Sequence, residues 1–74
     1  MSNHKRFELV SLLQTITGSS YYSIENLLEC YANCFPNDQK GIDLLKFIVF
    51  SDGPIEDSSV DEVIDYFNVH SQKH

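Results

Sequence analysis

Two pairs of side chains in this sequence have a spacing that suits metal binding. Cys30 and Cys34 lie four residues apart, and so do His70 and His74 at the end of the chain. On a helix this spacing can place two ligands on one face, but two cysteines are only half of a structural zinc site. The histidine pair lies in a segment that we expect to fray. We therefore interpret the cysteines as small apolar fillers on or near the core, and we expect no metal and no other cofactor.

No group of residues forms a recognisable catalytic motif. All three histidines lie near the ends of the chain, so we do not expect a buried imidazole base. The sequence has no glycine-rich phosphate loop and no nucleophile with a positioned base. Asp57-Ser58-Ser59-Val60 is faintly similar to the modified Asp-Ser-Leu segment of acyl carrier proteins, but the helices that follow the serine in that family are missing here. We therefore expect a protein that is not an enzyme.

The charge of the chain is strongly acidic and unevenly distributed. The formal net charge is −6, and ten of the eleven acidic residues lie between positions 25 and 65, where only Lys40 and Lys46 oppose them. Phosphate contacts need lysine and arginine, so this composition argues against direct binding of nucleic acid. It favours either an ordinary solvated surface or a basic protein partner.

Chain length and apolar pattern together predict one small all-α domain. Seventy-four residues allow a single unit, which we place at residues 1–74 with a core at about 5–70. The pattern predicts a four-helix domain whose third helix is short and irregular. No apolar run approaches the roughly 20 residues that cross a membrane, and the first residues do not resemble a signal peptide. We therefore expect a cytoplasmic protein without a membrane segment.

The first two helical segments have clear apolar stripes. They run from about Lys5 to Thr17 and from about Tyr21 to Phe35. Gly18 suits the position after the first helix, and either Ser20 or Ser23 suits the N-cap of the second. The apolar residues at helical spacing are Phe7, Leu9, Val10, Leu12, Leu13, Ile16, Ile24, Leu27, Leu28, Tyr31 and Phe35. The polar residues at a spacing of four on another face of the second segment are Glu25, Glu29 and Asn33.

The third segment, residues 41–50, cannot be assigned from periodicity because nearly every residue in it is apolar. Its β-branched and aromatic residues favour a strand locally. A lone strand would leave its backbone groups unpaired, so we predict a short, irregular helix that continues into an extended tail. For the fourth segment, Ser59 and Glu62 form a predicted capping box, and the helix should end at about 68 to 70.

The order of these segments resembles the immunity proteins that protect bacteria from DNase bacteriocins such as colicins and pyocins. Phe7-Glu8-Leu9-Val10-Ser11-Leu12-Leu13 resembles the start of their first helix, and Ile24-x-x-Leu27-Leu28-x-x-Tyr31 resembles their second. Gly41-Ile42-Asp43-Leu44-Leu45 resembles the Gly-Ser-Asp-Leu-Ile that opens their short third helix. The similarity covers roughly residues 7 to 68, and only the Gly-x-Asp-Leu-Leu segment has the character of a motif.

This resemblance implies an inhibitor that binds a basic nuclease toxin domain beside its active site and blocks access of nucleic acid. The family's anchor is a tyrosine pair followed by proline, where this chain has Lys46, Phe47 and Ile48. Either Phe47 or Phe50 would then take the role of the anchor. The protein would be a monomer when free and would act in the cytoplasm of the toxin-producing bacterium. The expected partner-binding residues are Glu25, Leu28, Glu29, Asn33, Asp43, Lys46, Phe47 and Phe50.

Plainer interpretations of the same residues stay open at this point. Glu25 and Glu29 could be an ordinary solvated helix face, and Phe47 and Phe50 could be core residues. A different function is also compatible with the charge. A small acidic regulator or phage-type inhibitor could bind a nucleic-acid-handling protein by mimicking the charge of DNA, without any aromatic anchor.

Overall fold

The computed structural model describes residues 1–71, and over that range the chain forms four α-helices and no strand. The helices are α1 (Asn3–Thr17), α2 (Ile24–Cys34), α3 (Gln39–Val49) and α4 (Asp57–Ser71). The predicted all-α, four-helix domain is therefore confirmed. Within the described residues, none of these helices has the length and apolar character that crossing a membrane requires.

Gly18 and Ser23 occupy capping positions that the sequence offered for the first two helices, although the second helix begins later than predicted. Gly18 follows α1 with a φ of 70°, and its N–H donates to the carbonyl of Gln14 at 2.8 Å. Glycine tolerates this left-handed conformation because it has no Cβ. Ser23 caps α2, where its Oγ accepts from the N–H of Asn26 at 3.5 Å. Tyr21 and Tyr22, which we predicted inside the second helix, therefore lie in the loop before it.

The third helix departs most from the sequence-based expectation. It is short, with 11 residues against 15 in α1 and α4, but it is continuous α-helix rather than irregular. It begins at Gln39, two residues earlier than predicted, because the side chain of Asp38 caps it and accepts from the N–H of Gly41 at 3.2 Å. The predicted extended tail is wrong, since the helix continues to Val49.

The predicted capping box of the fourth helix is also wrong. The helix begins at Asp57, so Ser59 lies in its first turn and its N–H donates to the carbonyl of Glu56 at 3.0 Å. The carboxylate of Asp57 accepts a hydrogen bond from the N–H of Ser2 at 2.8 Å. This contact holds the first residue of α4 next to the beginning of α1. The helix continues to Ser71, slightly beyond the predicted end. His74 lies outside the described residues, and so does the rest of the predicted frayed tail from residue 72 on.

A single hydrophobic core receives side chains from all four helices. Helix α1 packs against α2 and α4, and α3 packs against the same two helices from the other side. Helices α1 and α4 run parallel, because Lys5 pairs with Asp61 at 2.5 Å just as Ser2 meets Asp57. The buried apolar residues are Leu9, Val10, Leu13, Ile24, Leu27, Leu28, Tyr31, Ile42, Leu45, Ile48, Val60, Val63, Ile64 and Phe67.

Two aromatic residues that we assigned to the apolar stripes lie at the surface instead. Phe7 is 69% exposed and Phe35 is 37% exposed. Phe7 lies two residues before Leu9, which is roughly 200° around the helix and therefore away from the face that packs on the core. Phe35 follows the last residue of α2, where the chain leaves the helix.

Candidate partner-binding surface on α2 and α3

The outward face of α3 carries two aromatic rings. Phe47 is 52% exposed and Phe50 is 68% exposed, whereas Ile42, Leu45 and Ile48 are buried on the opposite side of the helix. The interpretation of Phe47 and Phe50 as core residues is therefore wrong. Asp43 lies on the same outward face, one turn before Phe47, and it accepts a hydrogen bond from Gln39 Nε2 at 2.8 Å.

The neighbouring face of α2 is acidic. Glu25, Glu29 and Asn33 are all exposed, and their spacing of four residues aligns them along the helix. Among the side chains that the structure describes, no lysine, arginine or histidine forms an ion pair with Glu25 or Glu29. Their charges are therefore available to a partner. Leu28, which we also predicted as a contact residue, is almost fully buried at the base of this face.

A shallow groove of about 450 Å³ separates the two helices and brings four of the predicted residues together. Leu28 and Ile42 are buried apolar residues that contribute its base. Lys46 places a cation on the α3 side, across from the carboxylates of α2. The residues that line the groove are Glu25, Leu28, Glu29, Ala32, Gln39, Ile42 and Lys46. Asp43, Phe47 and Phe50 lie beside it on the outward face of α3, and Asn33 does not line it.

Asp38 holds the beginning of α3 against two other helices. The hydroxyl groups of Tyr31 on α2 and Tyr66 on α4 both donate to its carboxylate, the latter at 2.5 Å. Burial, together with these hydrogen bonds to Asp38, raises the pKa of Tyr66 to about 12 and raises the pKa of Tyr31 as well. Since Asp38 also caps α3, one carboxylate fixes the position of the helix that carries Phe47 and Phe50.

Gly41 allows this close approach. A Cβ at this position would lie 2.5 Å from Asp38 Oδ2 and 3.1 Å from Tyr31 Cε1. Any side chain would therefore displace the carboxylate or the ring that it contacts. This is a physical reason for the glycine in the Gly-x-Asp-Leu segment, independent of any family resemblance.

Sequence reasoning missed Asp38, Tyr66 and the polar role of Tyr31. One signal was present, because an aspartate just before an apolar run is a common N-cap. The two tyrosines could not be assigned from sequence, since Asp38 and Tyr66 are 28 positions apart and meet only through tertiary packing.

Asn33 lies in a separate, half-open niche on the other side of Glu29. The niche holds about 240 Å³ and is lined by Tyr21, Asn26, Glu29, Cys30 and Asn33. Tyr21 is half exposed and was not among the predicted contact residues.

The two cysteines differ in burial, and this bears on their interpretation as small apolar residues in or near the core. Both are free thiols, and Cys30 is half-buried whereas Cys34 is exposed. Cys34 is therefore not a core residue, because it lies at the last turn of α2 away from the packed face. Among the residues that the structure describes, no cluster of three or more histidine, cysteine, aspartate or glutamate side chains could hold a metal ion.

No known protein family, curated protein or solved structure matches this chain. The resemblance to bacteriocin immunity proteins therefore stays a prediction. The geometry and charge of the α2–α3 surface are the features that point to a function.

Proposed function

We propose that this protein is an immunity protein that binds a nuclease bacteriocin or related toxin and inhibits it by covering its nucleic-acid-binding surface. The observation that carries the proposal is the exposure of Phe47 and Phe50 on α3, which packs against the helix that carries Glu25 and Glu29. Exposed aromatic residues rimmed by polar groups are typical of protein interaction sites. Aromatic anchors of this kind often dominate the binding energy of an interface.

The charge of the surface indicates the chemistry of the partner. Glu25 and Glu29 have no cationic partner within the described part of the chain, and the whole protein carries a net charge of −6. A nuclease domain needs a basic surface to bind phosphates, so the two surfaces are complementary. Opposite charges accelerate association, and an acidic protein seated on that surface excludes DNA or RNA by repulsion and by overlap.

The rigidity of α3 also supports a binding role. Asp38 ties the start of the helix to Tyr31 and Tyr66, and Leu45 and Ile48 pack into the core. An anchor on a fixed helix loses little conformational freedom when it binds, which favours affinity.

A small acidic regulator that mimics the charge of DNA is the second candidate. The unpaired carboxylates of Glu25 and Glu29 suit it as well as they suit the immunity function. The two candidates differ in what dominates the affinity. A charge mimic depends on glutamate and aspartate and weakens steeply with salt, whereas an immunity protein depends on the rings of α3.

The experiment that tests the proposal is calorimetric binding to a panel of purified basic nuclease toxin domains at low and high salt. We expect one-to-one binding to a cognate domain and loss of its nuclease activity. Phe47→Ala or Phe50→Ala should weaken this binding by more than about 2 kcal/mol. The proposal is wrong if no nuclease domain is bound or inhibited. If the glutamate variants weaken binding and the phenylalanine variants do not, the charge mimic is the better account.

A further inference from the structure

The niche beside Glu29 is not used by the aromatic contact proposed above. The α2 residues that line it are Asn26, Glu29, Cys30 and Asn33, which occupy positions i, i+3, i+4 and i+7 and so share one face of the helix. Tyr21 of the preceding loop closes the other side. The volume of about 240 Å³ is several times the roughly 30 Å³ that one water molecule occupies in the liquid. The niche is therefore large enough for the head group of a side chain.

The walls of the niche are held in place by hydrogen bonds outside it. The carbonyl of Tyr21 accepts from Gln14 Nε2 at 2.7 Å, which ties the loop to α1. The N–H of Asn26 donates to the N-cap side chain of Ser23, which fixes the first turn of α2. The niche is thus built from one capped helix and one tethered loop residue.

The groups that line the niche include acceptors that can receive hydrogen bonds from a cation. Glu29 supplies a carboxylate, Asn26 and Asn33 supply amide oxygens, and Tyr21 supplies a half-exposed aromatic ring. None of the five lining residues is a cation. A guanidinium group is planar, carries five donors, pairs with a carboxylate through two hydrogen bonds and stacks on aromatic rings. An ammonium group is compact and strongly hydrated, so it fits the same set less well.

We propose that this niche binds the guanidinium group of an arginine side chain. The carboxylate of Glu29 receives the charge-assisted hydrogen bonds, the ring of Tyr21 covers the planar face, and the asparagine oxygens accept the remaining donors. The source of the arginine rests on the proposed function, since a basic nuclease domain would supply it. The preference for guanidinium does not rest on that function.

The position of the niche extends the binding surface across α2. The groove toward α3 uses residues 25, 28, 29 and 32 of this helix, and the niche uses residues 26, 29, 30 and 33. Glu29 lies between them and contributes to both. A partner that contacts Phe47 and Phe50 and places an arginine in the niche would therefore lie over the whole acidic face of α2.

The test uses the free protein and two small probes. N-acetyl-arginine methylamide is titrated into ¹⁵N-labelled protein and followed by heteronuclear NMR, with N-acetyl-lysine methylamide as the competing cation. We expect saturable shifts centred on Tyr21, Asn26, Glu29 and Asn33, and a dissociation constant at least about fivefold lower for the arginine probe. Shifts that do not saturate at these residues, or equal affinity for the two probes, would overturn the proposal.

Matched variants separate the niche from general attraction of cations to an acidic protein. Tyr21→Ala and Glu29→Gln should each raise the dissociation constant at least about fivefold. The controls are Tyr22→Ala and Glu62→Gln, which change an 80% exposed neighbouring ring and an exposed carboxylate on α4, both outside the niche. These controls should change the constant less than about twofold. Equal effects of the controls and the niche variants would also overturn the proposal.

The outcome of this test is distinguishable from that of the proposed function. Binding of the arginine probe without binding of any nuclease domain would leave the niche in place and remove the immunity function. Binding of a nuclease domain without binding of the arginine probe would overturn the assignment of the niche and leave the immunity function in place.

Discussion

Replacement of Phe50 by alanine offers a sharp test of the α3 surface, because the chain contains a matched control. Phe50 and Phe7 are 68% and 69% exposed, but they lie at the end of α3 and on α1, respectively. Phe50→Ala and Phe7→Ala therefore remove the same ring at the same degree of burial. Only Phe50 belongs to the proposed binding surface.

The expected effects follow from the exposed and buried fractions of these rings. A fully buried aromatic side chain covers roughly 200 Å², so a partner can cover about 140 Å² of Phe50 at the exposure given above. At roughly 25 cal/mol per Å² this area corresponds to about 3.5 kcal/mol of binding energy. The part of each ring that is buried in the free protein corresponds to at most about 1.5 kcal/mol of folding stability, and it is nearly equal in the two variants.

The assay is calorimetric titration of the cognate nuclease domain, with urea denaturation of each variant in parallel. Phe50→Ala should raise the dissociation constant on the order of 100-fold, and Phe7→Ala should leave it unchanged within about twofold. The two variants should unfold at similar urea concentrations. Equal losses of affinity, or a loss that tracks the loss of stability, would refute the reasoning.

Three further predictions concern the carboxylate that holds α3. Gly41→Ala should destabilise the fold by about 1 to 3 kcal/mol in urea denaturation, because its Cβ would lie 2.5 Å from Asp38 Oδ2; an unchanged midpoint would contradict this. Asp38→Ala should lower the free energy of unfolding by about 2 to 4 kcal/mol, since α3 loses its cap and the hydroxyl of buried Tyr31 loses its acceptor. Asp52→Ala, in an exposed loop, is the control and should change the free energy of unfolding by less than about 0.5 kcal/mol. Finally, the pKa of Tyr66 is about 12 in the folded protein and about 10 in the unfolded chain, so the unfolded state loses its proton first and stability should fall as the pH rises from about 10 through 12. The free energy of unfolding, measured by denaturation across that pH range, should fall less for Tyr66→Phe than for the unsubstituted protein. An equal fall in the two proteins would contradict the assignment to Tyr66.

The parts of the fold that follow helical periodicity could be predicted from sequence. The apolar stripes of the first, second and fourth helices are regular, and Gly18 and Ser23 mark two boundaries by local chemistry alone. One helix start was wrongly predicted because a tertiary contact overrides the local pattern. Ser59 matches a capping box, but Asp57 is tied to Ser2 and starts the helix earlier.

The exposure of Phe47 and Phe50 was not predicted, because residues 41–50 were not identified as a regular helix. In a regular helix, the polar residues Asp43 and Lys46 share one face with the two rings, at positions i, i+3, i+4 and i+7. The Asp38 cap and the close packing at Gly41 fix the orientation of α3, in which Ile42, Leu45 and Ile48 face the core. The alignment of Glu25, Glu29 and Asn33 could be predicted, because it needs only the helical repeat.

The separation of Asn33 from the groove could not be predicted from the sequence. It depends on the side of α2 against which α3 packs and on the position of the loop that carries Tyr21.

The measurement that tests the central claim most directly is a titration of this protein into a nuclease assay of a basic toxin domain that it binds. If the α2–α3 surface covers the nucleic-acid-binding surface of that toxin, activity should fall in proportion to added protein and vanish at one equivalent. Full nuclease activity at a large excess of this protein, with no complex detected, would contradict the account.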